Sequence, residues 1–210
     1  MTQDLSPAER EASARAEILG AFDQFCPNIV GNPFILQFPT PQQAIFLGLH
    51  LQKRESEKVF EALYGGAAGG GKSSALLMAL AQYAWKNRDF AALAFRRTLT
   101  ELEQPGALLD RAKEWWIPAG VKYNAQKHSF AFPSGAKVQF AYLEHSSDHM
   151  RYQGAEYQLV AWDELTQWET DAAYKYVSLS RVRRNLGNAV PLRSLATANP
   201  GGPGHAWVRD

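Results

Sequence analysis

The run Gly66-x4-Gly71-Lys72-Ser73 has the residue types and spacing of a phosphate-binding loop. Glycines allow a tight backbone turn in which successive N–H groups point at phosphate oxygens. Lys72 can reach the β- and γ-phosphates of a nucleotide, and the Ser73 hydroxyl can bind Mg²⁺. A strand pattern precedes the loop and a helix pattern follows it, so the positive end of that helix would face the same anion. The sequence therefore predicts a nucleotide site rather than an incidental glycine-rich loop.

A second chemical element is the acidic pair Asp163-Glu164, which follows the apolar run Leu159-Val160-Ala161-Trp162. At the end of a strand, Asp163 could hold Mg²⁺ or its water. Glu164 could then act as a general base that polarises water towards the γ-phosphate. The alternative is a pair that only caps the next helix. Since small-molecule kinases do not need a water-activating glutamate here, Glu164 favours hydrolysis.

Composition limits the classes of protein to consider. The chain has 210 residues, of which 46% are hydrophobic, and its net charge is +1. This balance argues against a strongly basic nucleic-acid coat and against an acidic disordered tail. A lone cysteine, Cys26, cannot form an internal disulfide, which favours a reducing compartment. The first residues do not resemble a signal peptide and no run is long enough to span a membrane, so we expect a soluble, cytosolic globular domain.

Alternating strand and helix patterns predict an α/β fold with a mostly parallel central sheet flanked by helices. Ser6-Pro7-Ala8-Glu9 predicts a capped accessory helix at the start, followed by a proline-rich connector over 27–41. Further helices are expected over 42–53, 72–87, 99–116 with a break near Pro105, and from about 170. Strands are expected over 59–64, 91–95, 129–132, 136–142, 157–162 and 192–196, with 133–135 as a hairpin turn.

The strand over 91–95 lies between the phosphate loop and Asp163 in the sequence. This order favours the additional-strand, RecA-like branch of P-loop NTPases.

With these motifs the chain resembles the N-terminal ATPase domain of the large terminase subunit, the DNA-packaging motor of tailed double-stranded DNA bacteriophages. The resemblance covers roughly 38–208. It rests on segments similar to the Q motif, Walker A, the following strand end, Walker B with its approach, and the end of the motor domain. These segments are Pro39–Phe46, Gly65–Ser73, Phe95–Thr98, Arg151–Gly154 with Asp163-Glu164, Ser180–Arg183, and Thr197–Gly202 with His205-Ala206-Trp207.

The resemblance implies roles for particular side chains. Glu164, Lys72 and Arg151 would be catalytic, and Ser73 and Asp163 would hold Mg²⁺. Nucleotide-binding positions would be Gln43, Gly66, Ala67, Ala68, Gly69, Gly70, Gly71, Lys72, Ser73, Ser74, Thr197 and Asn199. Gln43 would bond the adenine edge, with Gln42 as a rival and a plain surface glutamine as the alternative. Thr197 and Asn199 would sense the γ-phosphate, unless they only form the turn before Pro200.

One departure from the family concerns the cation for the transition state. Some members carry an arginine inside Walker A, whereas this chain has Ala67, Ala68, Gly69 and Gly70 at the variable positions. The cation would then come from a neighbouring subunit, with Arg151 preferred. Arg181 and Arg183 are the alternative arginine fingers. Because such a finger contributes roughly 10³–10⁵ in rate, we expect a weak ATPase from the monomer.

The function implied by the resemblance is Mg-dependent ATP hydrolysis that drives double-stranded DNA into the prohead in the host cytoplasm. Implied partners are DNA, further copies in a ring on the portal, the portal protein and the small terminase subunit, with no membrane. Contacts to DNA would be to its backbone and would come from basic groups, the alternative being that these groups form only a solvated face. These groups are Arg181, Arg183, Arg184 and Arg193, with Lys53, Arg54 and Lys58. The alternatives are a RecA-like helicase lobe or a nucleotide-binding assembly module that does not hydrolyse.

The domain prediction is a helical extension over 1–36 and a motor domain over 37–210. The family's C-terminal nuclease domain would be absent, because only Glu169, Asp171 and Asp210 are acidic after Glu164. We therefore expect no DNA cleavage from this chain.

Overall fold

The computed structural model describes residues 6–52, 60–67, 69–145, 147–184 and 190–209. Ala68, the predicted strand start at Val59 and the basic group of Lys53, Arg54 and Lys58 lie outside the described residues.

Helices and strands alternate along the described chain. The helices are α1 (Pro7–Phe25), α2 (Pro41–Gly48), α3 (Lys72–Ala84), α4 (Leu99–Glu103), α5 (Leu108–Trp116), α6 (Ala172–Ser180) and α7 (His205–Arg209). The strands are β1 (Phe60–Gly65), β2 (Ala91–Arg96), β3 (Lys122–Asn124), β4 (Ser129–Ala131), β5 (Lys137–Tyr142), β6 (Leu159–Trp162) and β7 (Arg193–Ala198). Short 3₁₀ helices cover Leu49–Gln52, Asp148–Tyr152 and Leu165–Gln167.

A single sheet joins the described strands in the order β1-β7-β6-β2-β5-β4-β3. The first five run parallel, and β4 and β3 continue the sheet antiparallel. This arrangement confirms the predicted RecA-like α/β fold with a hairpin. The strand that lies between β1 and β6 is β7, whereas β2 lies on the far side of β6. The additional strand therefore comes from the end of the chain and not from 91–95, which separates the two motifs only in sequence.

Side chains of the central strands pack into two cores because helices cover both faces of the sheet. Ala92 and Ala94 point to the face covered by α2, α3 and α5. Leu93 and Phe95 point to the face covered by α6 and the following segments. Burial on both faces explains the continuous apolar runs of β2 and β6. The same burial fixes the position of the strand ends, which carry the polar residues of the predicted motifs.

The amino-terminal helix begins as predicted. Ser6 accepts a hydrogen bond from the Glu9 N–H, and the Glu9 carboxylate accepts from the Ser6 N–H, which completes a capping box. Most of α1 is exposed, and no helix or strand occupies the following residues up to Thr40. Ile29 and Phe34 within that stretch nevertheless pack in the same core as α3. The division between 1–36 and 37–210 stays a prediction.

Element boundaries differ from expectation in a few places. The helix expected over 72–87 ends at Ala84, and that over 42–53 turns into a 3₁₀ helix after Gly48. The break near Pro105 is confirmed, as is the hairpin turn. Sequence reasoning missed β3, a three-residue edge strand. Among the described residues, no helix is both long and apolar enough to cross a bilayer.

Trp116, at the end of α5, fastens that helix to the sheet. Its ring is fully buried and contacts Phe130, Phe132 and Phe140, with centroid separations between 4.9 and 6.0 Å. Its indole Nε1 donates to the carbonyl of Phe34 at 3.2 Å. One side chain thus joins α5, the hairpin and the amino-terminal connector.

Trp116→Ala should lower the free energy of unfolding by about 3–5 kcal/mol, the usual cost of truncating a large buried aromatic ring. Urea denaturation followed by circular dichroism would measure it. The control is Ile117→Ala at the next position, where the side chain is 44% exposed and little packing is lost. Equal losses in the two variants would contradict this account of the α5 packing.

Candidate functional site

A groove opens where the carboxyl ends of β1, β7 and β6 meet the start of α3. Motifs far apart in the sequence converge there, because parallel strands end at the same edge of a sheet. The groove is lined by Gln37, Phe38, Thr40, Gln42, Gln43, Tyr64, Gly69, Gly70, Gly71, Lys72, Ser73, Ser74, Arg111, Glu164 and Asn199. Most of the residues predicted to bind nucleotide are therefore brought together.

The phosphate loop connects β1 to α3. Gly66, Gly69 and Gly71 all have positive φ, with values of 141°, 82° and 72°. The Lys72 ammonium lies inside the loop and donates to the carbonyls of Gly66 at 2.9 Å and Ala67 at 2.7 Å. The Lys72 ammonium thus has neutral carbonyl partners within the loop. It lies at the amino terminus of α3, where backbone N–H groups and the helix dipole favour an anion.

Gln43 is buried beneath this loop. Its side-chain oxygen accepts from the Thr40 N–H at 2.8 Å, which completes a capping box for α2. Its amide nitrogen donates to the Gly71 carbonyl at 2.8 Å. Gln43 therefore fastens α2 to the phosphate loop, and a Cβ at Gly71 would lie 2.6 Å from its Nε2. The role of Gln43 at adenine stays a prediction. Gln42, its rival, is exposed on the groove.

Asp163 is buried at the end of β6 with partners on three sides. The Thr197 hydroxyl donates to Oδ1 at 2.8 Å, and the Ser73 hydroxyl lies 3.4 Å from the same atom. Arg96 Nη1 donates to Oδ2 at 2.9 Å. A carboxylate and a serine hydroxyl at the phosphate loop form a donor set that fits Mg²⁺, which takes few protein oxygens together with waters and phosphates.

Arg96 ends β2 beside this carboxylate and also lies 3.8 Å from Glu101. The sequence marked Arg96 only as part of a strand end. Its role beside Asp163 follows from the pairing of β2 with β6, which a local pattern does not reveal.

Glu164 takes a left-handed backbone conformation with φ of 59°. Its carboxylate accepts two hydrogen bonds from Asn199, one from the backbone N–H at 3.0 Å and one from Nδ2 at 2.8 Å. Its own N–H donates to the Thr197 hydroxyl at 3.2 Å. Asn199 and Thr197 therefore hold the two acidic residues in place, one by its side-chain amide and the other by its hydroxyl. Their role at the γ-phosphate stays a prediction.

None of the three predicted arginine fingers lines this groove within the described part of the chain. Arg151 is 53% exposed and forms an ion pair with Asp148, and that hydrogen bond raises the pKa of its guanidinium. Arg183 pairs with Glu156 at 3.1 Å, and the Arg181 guanidinium donates to the Gln153 carbonyl.

Arg193 corrects the expectation of a DNA-facing basic group, because it is only 1% exposed and cannot reach DNA. Its guanidinium donates to Gln82 Oε1 at 2.8 Å and to the Ala79 carbonyl at 3.3 Å, both in α3. Burial lowers the pKa of Arg193 to about 10. Burial, followed by the charge of Arg193, lowers the pKa of His50 to about 3, so that imidazole stays neutral. Arg193 is thus a structural link between β7 and α3.

Arg111 was missed by sequence reasoning. It lies on α5, and its Nη1 donates to the Ser74 hydroxyl at 3.2 Å on the wall of the groove. No local motif surrounds it, so only the packing of α5 against α3 reveals its place.

Comparison with known proteins gives the family. Residues 63–186, more than half of the chain, match the family described as terminase large subunit, T4likevirus-type, N-terminal. No sequence among curated proteins matches. The HK97 bacteriophage large terminase aligns with a TM-score of 0.60 at 16% identity, over 93% of this chain and 41% of that one.

The large terminase of a thermophilic bacteriophage aligns with a TM-score of 0.55 at 15% identity, over 83% of this chain and 42% of that one. A structure of the same terminase in complex with ADP aligns with a TM-score of 0.51 at 16% identity, over 78% and 39% of the two chains. Identities this low show the fold alone, and this chain spans about two-fifths of the length of those terminases. By the family match across more than half of its length, the chain belongs to the terminase large subunits of T4likevirus type, in their N-terminal part.

Proposed function

We propose that this chain binds MgATP in the groove and hydrolyses it to drive double-stranded DNA into a prohead. The observation that carries the proposal is the position of Glu164. Its carboxylate lines the same groove as Lys72 and Ser73 and is oriented by Asn199. A module that only binds nucleotide needs no carboxylate at this position, whereas hydrolysis uses one as a general base.

The residues of the chain suggest how hydrolysis proceeds. An incoming polyphosphate draws the Lys72 ammonium from the Gly66 and Ala67 carbonyls, because a charged acceptor bonds more strongly than a neutral one. Glu164 accepts a proton from the attacking water. Each Glu164 oxygen accepts one hydrogen bond from Asn199 and has a second lone pair with which it can bond the water. Asn199 therefore orients the base and leaves it able to accept the proton.

Ser73 and Asp163 would hold the Mg²⁺ ion of MgATP. When bound, the ion neutralises charge that develops on the phosphate oxygens. Arg96 and Thr197 orient the Asp163 carboxylate for this purpose through their hydrogen bonds.

The proposed partners follow from the family. They are DNA, contacted through its backbone, further copies of the chain in a ring on the portal, the portal protein and the small terminase subunit, all in the host cytoplasm. The motor would be formed by 37–210 with 1–36 as an extension. Arg151 is consistent with a ring, because its exposed guanidinium lies away from its own groove and could exchange Asp148 for a neighbour's nucleotide.

Glu164→Gln should lower single-turnover ATP hydrolysis in assembled motors by about 10²–10⁴-fold, the usual contribution of a general base. Nucleotide affinity should stay near that of the wild type, because the amide oxygen can still accept one of the two hydrogen bonds from Asn199. Rapid quench with radiolabelled ATP on prohead complexes measures the rate. Equal rates in variant and wild type would remove Glu164 from catalysis.

Lys72→Ala should weaken ATP and ADP binding by about 10- to 100-fold, since charge-assisted hydrogen bonds contribute about 1.5–3 kcal/mol. Isothermal titration calorimetry measures the Kd. Lys86→Ala is the matched control, because it removes the same charge beyond the far end of α3, where the ammonium lies over the Trp85 ring. Unchanged binding in Lys72→Ala would exclude this role.

Arg151→Ala should bind ATP like the wild type but lose about 10³–10⁵-fold of the assembly-stimulated rate. The measurement is steady-state ATPase against protein concentration, with proheads and DNA present. Arg88→Ala, an exposed arginine outside the groove, serves as the control. Normal stimulation of Arg151→Ala would transfer the finger role to Arg181 or Arg183, whose alanine variants then become decisive.

A further inference from the structure

Arg111 places a cation on the wall of the nucleotide groove from an element outside every sequence motif. Its Nη1 donates to the Ser74 hydroxyl at 3.2 Å, and its side chain is half-buried. Ser74 is itself in the first turn of α3 and only 7% exposed. The guanidinium is thus held at the rim of the phosphate loop by a neutral partner.

The charge of Arg111 is not neutralised within the described part of the chain, where no carboxylate oxygen lies within 4.0 Å of its guanidinium. The neighbouring acid on the helix, Asp110, accepts instead from the Gly106 N–H at 2.8 Å. One hydroxyl leaves most of the guanidinium N–H donors of Arg111 available. A half-buried cation with spare donors, facing a cradle of backbone amides, favours an anion as its partner.

The position of this side chain is fixed by packing. Leu109 and Ala112 lie close to Arg111 in the sequence and are fully buried, and Trp116 anchors the carboxyl end of the same helix. Direct contacts between α3 and α5 keep the two helices together. Arg111 is therefore presented to the groove by a rigid helix rather than by a loop.

We infer that Arg111 is a phosphate-binding residue of this site, supplied by the same subunit, and that it binds the α- and β-phosphates of a nucleoside di- or triphosphate. The inference rests on the proposed function. In a phosphate loop the lysine reaches the β- and γ-phosphates and the next residue the metal ion. Ser74 is the residue after Lys72 and Ser73, and Arg111 bonds its hydroxyl, so we place Arg111 on the side of the α- and β-phosphates. Glu164 and Asn199, which bond each other at the ends of β6 and β7, are placed on the side of the γ-phosphate. Arg111 should therefore contribute equally to ADP and ATP.

The test compares Arg111→Gln, Arg111→Lys and Arg111→Ala with the wild-type chain. Titration calorimetry gives the Kd of MgADP and of the slowly hydrolysed analogue MgATPγS, at low and high salt. Arg111→Gln keeps a polar N–H donor on a shorter side chain but carries no charge. Lys113→Ala is the matched control on the same helix, because that ammonium lies over the Tyr123 ring and away from the groove. Thermal unfolding without nucleotide confirms that each variant folds.

The expected result is that Arg111→Gln and Arg111→Ala weaken both ligands by a similar factor of about 10–100, as for the loss of a charged hydrogen bond. Arg111→Lys recovers part of this affinity, Lys113→Ala binds like the wild type, and the salt dependence of binding falls in the uncharged variants. Wild-type affinity in Arg111→Gln would overturn this inference but not the proposed function, and it would leave Arg111 as a link between α5 and α3. A loss confined to MgATPγS would also overturn it. A wild-type chain that binds neither ligand would overturn the proposed function as well.

Discussion

The hydroxyl of Thr197 is the contact on which the site depends. It donates to Asp163 and accepts from the N–H of Glu164, so one buried group orients both acidic residues. The register of the sheet makes this possible, because Trp162 pairs with Ala196 and Tyr64 pairs with Thr197. The insertion of β7 between β1 and β6 thus brings a threonine beside the acidic pair and beside the start of the phosphate loop. In a sheet where β1 and β6 were neighbours, no third strand would supply that hydroxyl.

The charges around the groove are arranged asymmetrically. Both acids already have donors, since Arg96 and Thr197 bond Asp163, and Asn199 bonds Glu164. The cations Lys72 and Arg111 have only carbonyl and hydroxyl partners among the described residues. In the proposed function, an incoming polyphosphate therefore meets two cations that can exchange a neutral acceptor for a charged one, while both acids keep the hydrogen-bond donors that orient them. This asymmetry favours anion binding in a chain whose net charge is only +1.

The sequence predicted those parts of the fold and site that depend on local pattern. The glycines of the phosphate loop, the acidic pair after an apolar strand and the capping box at Ser6 each specify their structure within a few residues. Arg111 could not be predicted, because its place depends on how α5 packs against α3. Arg193 was misjudged because a count of nearby charges cannot show that β7 is buried on both faces. Thr40 and Gln43 carry a capping-box spacing, and this local signal could have predicted that part of the Gln43 amide is already engaged.

Arg193 also limits which parts of the fold can move when the groove changes its state. Its guanidinium binds α3 through Gln82 and the Ala79 carbonyl, while Thr197 at the other end of the same strand bonds Asp163. Buried polar contacts therefore join the start of β7 to α3 through Arg193 and the other end of β7 to the end of β6 through Thr197. Sliding of β7 against α3 would leave the charge of Arg193 buried without its acceptors, at a cost of about 3–5 kcal/mol by the general penalty for such groups. If the proposed hydrolysis moves the chain, the movement should then begin beyond the strand, at Asn199, where the backbone leaves the sheet and the hydrogen bonds to Glu164 can exchange without breaking the core.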